Sequence, residues 1–364
     1  MHALVVGGGV IGMMTARNLV QAGCSVRLFD QAAAGSEASW AGGGIMSPLY
    51  PWRYPAPVNQ LASWSQQHYP SLAAKLVEET GIDPELRTYG MLMLGGNDSE
   101  SAIQWASANN AQIQEYDEQA LRSLLPPYLD VSEQALWMPE IRGIRSPRLL
   151  KALLVALQAS PLFELHTNET VLRLEETDGR VQRVITSKEC YCADAIIICA
   201  GAWSAALLEP FGYRLPIKPV RGQMLAIQAP AGWLPHILMK NGAYLIPRED
   251  GLILAGSTLE FVGFNKALTE TAKSFLLQRA YGMLPALKEF PVVHHWAGLR
   301  PSSPNGIPYI GPIQGLSGVY INAGHYRNGL VMAPASGRLI ADIVLGRSPM
   351  MDATPFLPCR ELVS

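Results

Sequence analysis

With 364 residues the chain is long enough to bury a sizeable core and to form two domains at roughly 100–200 residues each. Its 28 Lys+Arg against 30 Asp+Glu give a formal charge of −2, and the basic residues are dispersed, which excludes a nucleic-acid footprint and attraction to an anionic membrane surface. Hydrophobic residues make up 49% of the chain, yet no uninterrupted apolar run reaches the ~18 residues of a membrane span, so they are core material and no stable membrane association is expected.

The chain opens on a strand over residues 3–6 without a charged segment, a longer apolar stretch or a small-residue cleavage site before it. A cytoplasmic protein is therefore expected. The five cysteines, Cys24, Cys190, Cys192, Cys199 and Cys359, are odd in number and widely spread, which predicts reduced thiols rather than a disulfide framework. Cys190 and Cys192 form the one close pair, but no second pair follows at zinc-ligand spacing, so no metal site is expected.

After the first strand come a glycine turn over 7–12, a helix over 13–22 and a second strand over 25–30, a βαβ start. Gly7-x-Gly9-x-x-Gly12 in that context is the pattern of dinucleotide binding: backbone N–H groups approach a pyrophosphate and the third glycine lets helix and strand pack closely. Asp30 ends the second strand, where a carboxylate can accept a hydrogen bond from a ribose hydroxyl. The motif leaves NAD and FAD open, because both carry the ADP half.

A second glycine cluster, Ala41-Gly42-Gly43-Gly44, precedes a Pro- and aromatic-rich loop over 47–52. Helices are predicted over 61–80, with Gly81 ending it, over 101–109 and over 147–159. Residues 171–185 alternate like a hairpin about Asp178-Gly179, and 194–199 form a short buried strand. A β-rich unit follows over 216–293, with strands over 222–227, 243–246 and 252–255 and a helix over 270–283. The last part holds a strand over 319–323, the turn Gly324-His325-Tyr326-Arg327-Asn328-Gly329 and a helix over 330–345. That helix would direct its positive N-terminal end at a reduced, anionic flavin. The pattern predicts two interleaved domains.

Seven ordered blocks carry a resemblance over nearly the whole length. They are Gly7-x-Gly9-x-x-Gly12, Ser39-Trp40-Ala41-Gly42-Gly43-Gly44, Cys199-Ala200-Gly201-Ala202-Trp203-Ser204, Pro219-Val220-Arg221-Gly222-Gln223, Tyr244-Leu245-Ile246-Pro247-Arg248, Gly298-Leu299-Arg300-Pro301 and Gly324-His325-Tyr326-Arg327-Asn328-Gly329. In these the chain resembles the D-amino-acid oxidase family of FAD enzymes, within it the glycine oxidases of the thiamine-biosynthesis type. The implied fold is α/β: a Rossmann-like FAD-binding domain of residues 1–80, 141–215 and 297–364, interleaved with an α+β substrate domain of residues 81–140 and 216–296 built on a mostly antiparallel sheet.

The resemblance implies FAD held at Gly7, Gly9, Val10, Ile11, Gly12 and Asp30, then at Ser39, Ala41, Gly42, Gly43, Gly44 and Met46. It adds the backbone at Val171 beside the adenine, Ala200, Gly201 and Trp203, and finally Arg300, Tyr326, Arg327, Asn328, Gly329 and Leu330. No cysteine lies near Leu299 and Arg300, so FAD should be non-covalent. Ile45, Met46 and Leu259 align with apolar pocket positions, which simple core packing would explain as well.

An amino-acid substrate carries a carboxylate, which a planar guanidinium grips in a bidentate manner. Arg300 is the candidate, with the Tyr244 phenol donating a second hydrogen bond by resemblance; otherwise they are an ion-pair arginine and a strand-core aromatic. Arg327 is either a third pocket residue, offering its carbonyl to the substrate amine, or a structural charge beside the last helix. Hydride transfer from Cα to flavin N5 needs a neutral amine and good positioning rather than a side-chain base, so no histidine is nominated.

The implied reaction is oxidation of glycine, sarcosine and small D-amino acids by O₂ to the imine, then the oxo acid, ammonia and hydrogen peroxide. The alternatives are a D-amino-acid dehydrogenase with a non-oxygen acceptor, a nicotinamide enzyme, and a non-catalytic partner of a thiazole-forming enzyme. The resemblance further implies a homo-oligomer, with a tetramer as one form, and a thiazole synthase as a pathway partner.

Overall fold

The computed structural model describes residues 1–95, 98–129, 134–177 and 179–358; Asp178 of the expected hairpin turn and Cys359 lie outside the described residues. The apolar run of His2–Val6, buried from Ala3 onward, is the centre of a six-stranded sheet. Burial on both faces suits a central strand of a parallel sheet. It pairs in parallel with Ser25–Phe29 on one side and Ala195–Ile198 on the other. Phe163–His166 extends the first flank and Val319–Ala323 the second, and Tyr309–Pro312 closes the edge antiparallel.

The helices Val10–Gln21, Ser146–Gln158 and Gly329–Val344 cover one face, with Met13, Leu19, Leu153, Leu339 and Ile340 in their shared core. Gly12 explains how closely the first helix sits: a Cβ there would lie 1.9 Å from the Gly7 carbonyl oxygen. The helix begins at Val10, not at residue 13, because Gly9 already serves as its N-cap. The long helix Ala56–Thr80 likewise starts ahead of the expected residue 61, since Pro57 lies in the first turn, where its missing N–H costs nothing. Gly81 ends it in the left-handed conformation, with its N–H donating to the Val77 carbonyl at 2.8 Å.

The second sheet has eight strands, ordered Val292–Ser302, Lys218–Gln228, Leu252–Gly256, Ala243–Pro247, Ile237–Lys240, Met91–Leu94, Ala135–Met138 and Gln114–Tyr116. All pairs are antiparallel except Ile237–Lys240 with Met91–Leu94. Met91–Leu94 and Ala135–Met138 are buried at every position and show no alternation, which is why periodicity did not single them out. Val292–Ser302 runs unbroken through Arg300 and Pro301, where the glycine and proline punctuation suggests a break.

The expected hairpin is formed by Val171–Thr177 and Arg180–Thr186, and Cys190–Cys192 adds a third strand to it. Cys24, Cys190, Cys192 and Cys199 are free thiols. No helix among the described residues is long and apolar enough to cross a membrane.

Gly12→Ala is expected to force the first helix off the glycine turn at a cost of about 1–3 kcal/mol. Urea unfolding of the two proteins at one temperature measures it.

Candidate active site

A single elongated cavity runs from the end of the first strand to the seam between the two sheets. At its first end lie Gly7, Gly9, Val10 and Ile11, at the N-terminus of the helix Val10–Gln21, where the Gly9 and Ile11 amides and the helix dipole favour a pyrophosphate. Asp30 is fixed beside them: its Oδ2 accepts from the Gly8 N–H at 2.8 Å and its Oδ1 from the Ala32 N–H at 2.9 Å. Burial raises the Asp30 carboxyl above its ordinary pKa, with the two N–H groups opposing. Ser39 Oγ accepts from the Val10 N–H at 3.0 Å, so that this hydroxyl closes over the helix start.

Val171 lines the same end, together with Glu169 and Thr170, which the sequence did not point to. Ala200, Gly201 and Trp203 follow the strand Ala195–Ile198 and form a side wall, where the Trp203 ring packs 5.3 Å from Phe264.

The other end is built by both sheets. Ala41, Gly42, Gly43, Gly44 and Ile45 pass along it. Tyr326, Arg327, Gly329 and Leu330 complete it, at the N-terminus of the last helix. Arg300 enters from the edge strand, opposite Val220. Its Nη2 donates to Ser257 Oγ at 2.7 Å and its Nη1 to the Thr258 carbonyl at 3.2 Å. The guanidinium can cross the sheet only because residue 222 is glycine, where a Cβ would lie 1.9 Å from Nη1.

Tyr244 is buried on the third strand across from that of Arg300 in the same sheet, and its phenol donates to Met224 Sδ at 3.8 Å. Burial pulls Arg300 below the ordinary guanidinium pKa; Tyr244 opposes this and the Arg327 charge adds to it. Among the described residues no carboxylate forms an ion pair with Arg300, whose hydrogen bonds go to Ser257 and Thr258. The site thus holds a part-buried cation with hydrogen-bond support and, among the described residues, no paired carboxylate.

Three expected cofactor positions do not line the cavity. Gly12 contacts the Gly7 carbonyl from the helix side. Met46 lies in the core beneath the first sheet, with its N–H on the Arg142 carbonyl at 2.9 Å. Asn328 is buried as the N-cap of the last helix, where its carbonyl accepts from the Met332 N–H at 2.9 Å. Leu259 is half exposed and borders a second cavity, shared with Arg327, instead of the first.

His325 lines the cavity but is buried, with Nε2 at 2.9 Å from Ser336 Oγ. Burial pushes its pKa down to about 3, which keeps the imidazole neutral at working pH. Ser257, Thr258, Gly222 and Met224 are site residues that sequence reasoning did not assign. Gly222 stood inside a quoted block, and Ser257 and Thr258 belong to no motif.

The fold and the cavity define a dinucleotide-dependent oxidoreductase. The model of the FAD dependent oxidoreductase family, DAO, matches residues 2–343, and the chain belongs to that family. It is 46% identical over 361 residues to a glycine oxidase of Pseudomonas aeruginosa, covering 99% of both chains. A bifunctional protein ThiO/ThiG of Synechocystis sp. is 30% identical over 376 residues, covering 99% of this chain and 54% of that protein. Among solved structures, glycine oxidase from Geobacillus kaustophilus superposes with a TM-score of 0.92 at 28% identity, covering 99% of this chain and 98% of that one.

The folded pKa of His325 lies below its ordinary 6.5, so the unfolded chain takes up the proton first. Stability from burying the neutral ring is complete above about pH 6.5 and lost as pH falls toward 3. His325→Gln is expected to flatten the pH dependence of unfolding free energy between pH 6.5 and 4, where this group contributes a slope of up to about 1.4 kcal/mol per pH unit. Urea unfolding across that range checks it.

Proposed function

We propose that the protein is an FAD-dependent glycine oxidase that also accepts sarcosine and small D-amino acids. The single observation that carries this is Arg300, a part-buried guanidinium that pairs with no carboxylate among the described residues, braced by Ser257 and the Thr258 carbonyl and lining the same cavity as Tyr244. Such a cation is a receptor for the carboxylate of a small zwitterion, because bidentate geometry supplies both charge and orientation. The relatives named glycine oxidase support the same substrate.

The residues that line the cavity fit FAD. Gly7, Gly9 and the N-terminus of the first helix would hold its pyrophosphate, Asp30 its ribose, Val171 its adenine, and Ala41, Gly42, Gly43 and Gly44 its ring. Bound FAD would supply the two-electron acceptor for the Cα hydride, with O₂ as the final oxidant and hydrogen peroxide as its product. Arg300 and Tyr244 orient the substrate by its carboxylate, so that Cα–H and not N–H faces the ring. Met224, Tyr244 and Ile45 make an apolar wall that keeps water from the reacting carbon. Neutral His325 offers no charge near the amine and takes no proton from it.

The substrate loses two electrons and two protons to become the imine, which water converts to the oxo acid and ammonia, or methylamine where the substrate is sarcosine. Glycine, sarcosine and small D-amino acids all belong in this class, since a methyl group in an apolar pocket alters specificity by only ~1–3 kcal/mol. The bifunctional ThiO/ThiG relative supports a role in thiamine thiazole biosynthesis, with a thiazole synthase as the pathway partner. A cytoplasmic homo-oligomer completes the proposal.

Arg300→Ala is expected to lower kcat/KM for glycine about a hundredfold or more, chiefly through KM, because two charge-assisted hydrogen bonds to the carboxylate are lost. Tyr244→Phe should cost about tenfold, the value of one neutral donor. Peroxide release with glycine measures both, and an unchanged KM in Arg300→Ala would remove Arg300 from the site. Glycine added without oxygen should bleach the flavin band of the wild-type protein.

A further inference from the structure

Four consecutive carbonyls of the segment that passes between the sheets are held by donors from other parts of the chain. Trp296 Nε1 donates to the Ala41 carbonyl at 3.1 Å and Ser146 Oγ to that of Gly42 at 2.8 Å. Arg248 Nη2 donates to the Gly43 carbonyl at 2.7 Å, and the Ile144 N–H to that of Gly44 at 2.8 Å. The amides of Gly43, Gly44 and Ile45 donate to no described residue, and all three residues line the FAD cavity. Amides that are shielded in a fold rarely go unpaired, so this row calls for an acceptor in the cavity.

Arg248 stands out among the four donors. It is 5% exposed, and no carboxylate hydrogen-bonds to it among the described residues. Burial pushes its guanidinium down to about 10. A charge so placed is costly unless it does something that an apolar side chain would not. It follows directly on the strand that carries Tyr244 and reaches from there to the glycine segment.

We propose that Arg248 is a positioning residue for the flavin: with Trp296, Ser146 and the Ile144 amide it turns the carbonyls of residues 41–44 out of the cavity and presents the amides of 43–45 to the acceptor atoms of the isoalloxazine edge. This rests on the FAD reading given above. The amides then stabilise negative charge on the ring, whether gained by reduction or by addition of sulfite.

The test uses the full chain loaded with FAD and the variants Arg248→Met, Arg248→Lys and Ser146→Ala. Sulfite affinity is read from bleaching of the flavin band, FAD affinity from titration of the apoprotein, and glycolate affinity from the spectral shift on binding as a report on Arg300. Arg248→Met is expected to weaken sulfite binding about tenfold, the worth of one charge-assisted hydrogen bond, while glycolate binding changes less than about twofold. Arg248→Lys restores part of the loss, and Ser146→Ala gives a smaller weakening in the same direction.

Unchanged sulfite binding in Arg248→Met, or equal losses for sulfite and glycolate, overturns the proposal. If Arg248→Met does not fold, Ser146→Ala decides, and unchanged sulfite binding there overturns it. A wild-type chain that binds no FAD sinks the functional reading instead, whereas normal FAD binding with indifferent variants sinks this proposal alone.

Discussion

A guanidinium partly withdrawn from water, with no carboxylate paired to it among the described residues, is the constraint around which this molecule is arranged. Withdrawing a charge from water is costly, and Arg300 recovers only part of that cost from Ser257 Oγ and the Thr258 carbonyl. An anion entering the cavity supplies the remainder. Affinity for the acid end of a substrate is thus set by the same burial that lowers the arginine's pKa, and the support around the charge fixes where the carboxylate must sit.

The two sheets divide the work. The parallel sheet ends in a helix N-terminus and a fixed carboxylate, which suit the polar half of a dinucleotide and need no movement. The antiparallel sheet brings Arg300 and Tyr244 from distant parts of the chain into one sheet, on strands with two others between them, and leaves room for the guanidinium over Gly222. The segment 41–45 lies between them and is held from both sides, by Ser146 and Ile144 from the first unit and by Arg248 and Trp296 from the second. With His325 neutral and committed to Ser336, the chemistry depends on placing one C–H bond against a ring, not on a base.

Local spacing made the first end of the cavity legible. Gly7, Gly9 and Asp30 act within one βαβ unit, so a window of about thirty residues contains their geometry. Arg300 could be chosen from chemistry, because a carboxylate substrate calls for a guanidinium. Its supports could not: Ser257, Thr258 and Gly222 meet it only through antiparallel pairing of segments far apart in sequence. Met46 was misplaced for a simple reason. Along an extended chain successive side chains point to opposite faces, so when Ile45 faces the cavity Met46 faces the core. The strand Met91–Leu94 escaped because its residues carry neither alternation nor β-branching, and burial on all sides decides its form.

The most direct measurement is a crystal structure of the FAD-loaded protein with glycolate, a carboxylate the size of glycine that lacks the amine. The account predicts both carboxylate oxygens on the Arg300 guanidinium, one of them also on the Tyr244 hydroxyl, with the glycolate carbon against the face of the flavin ring. A carboxylate bound away from Arg300, or a ring lying outside the cavity that Arg300 enters, would contradict it.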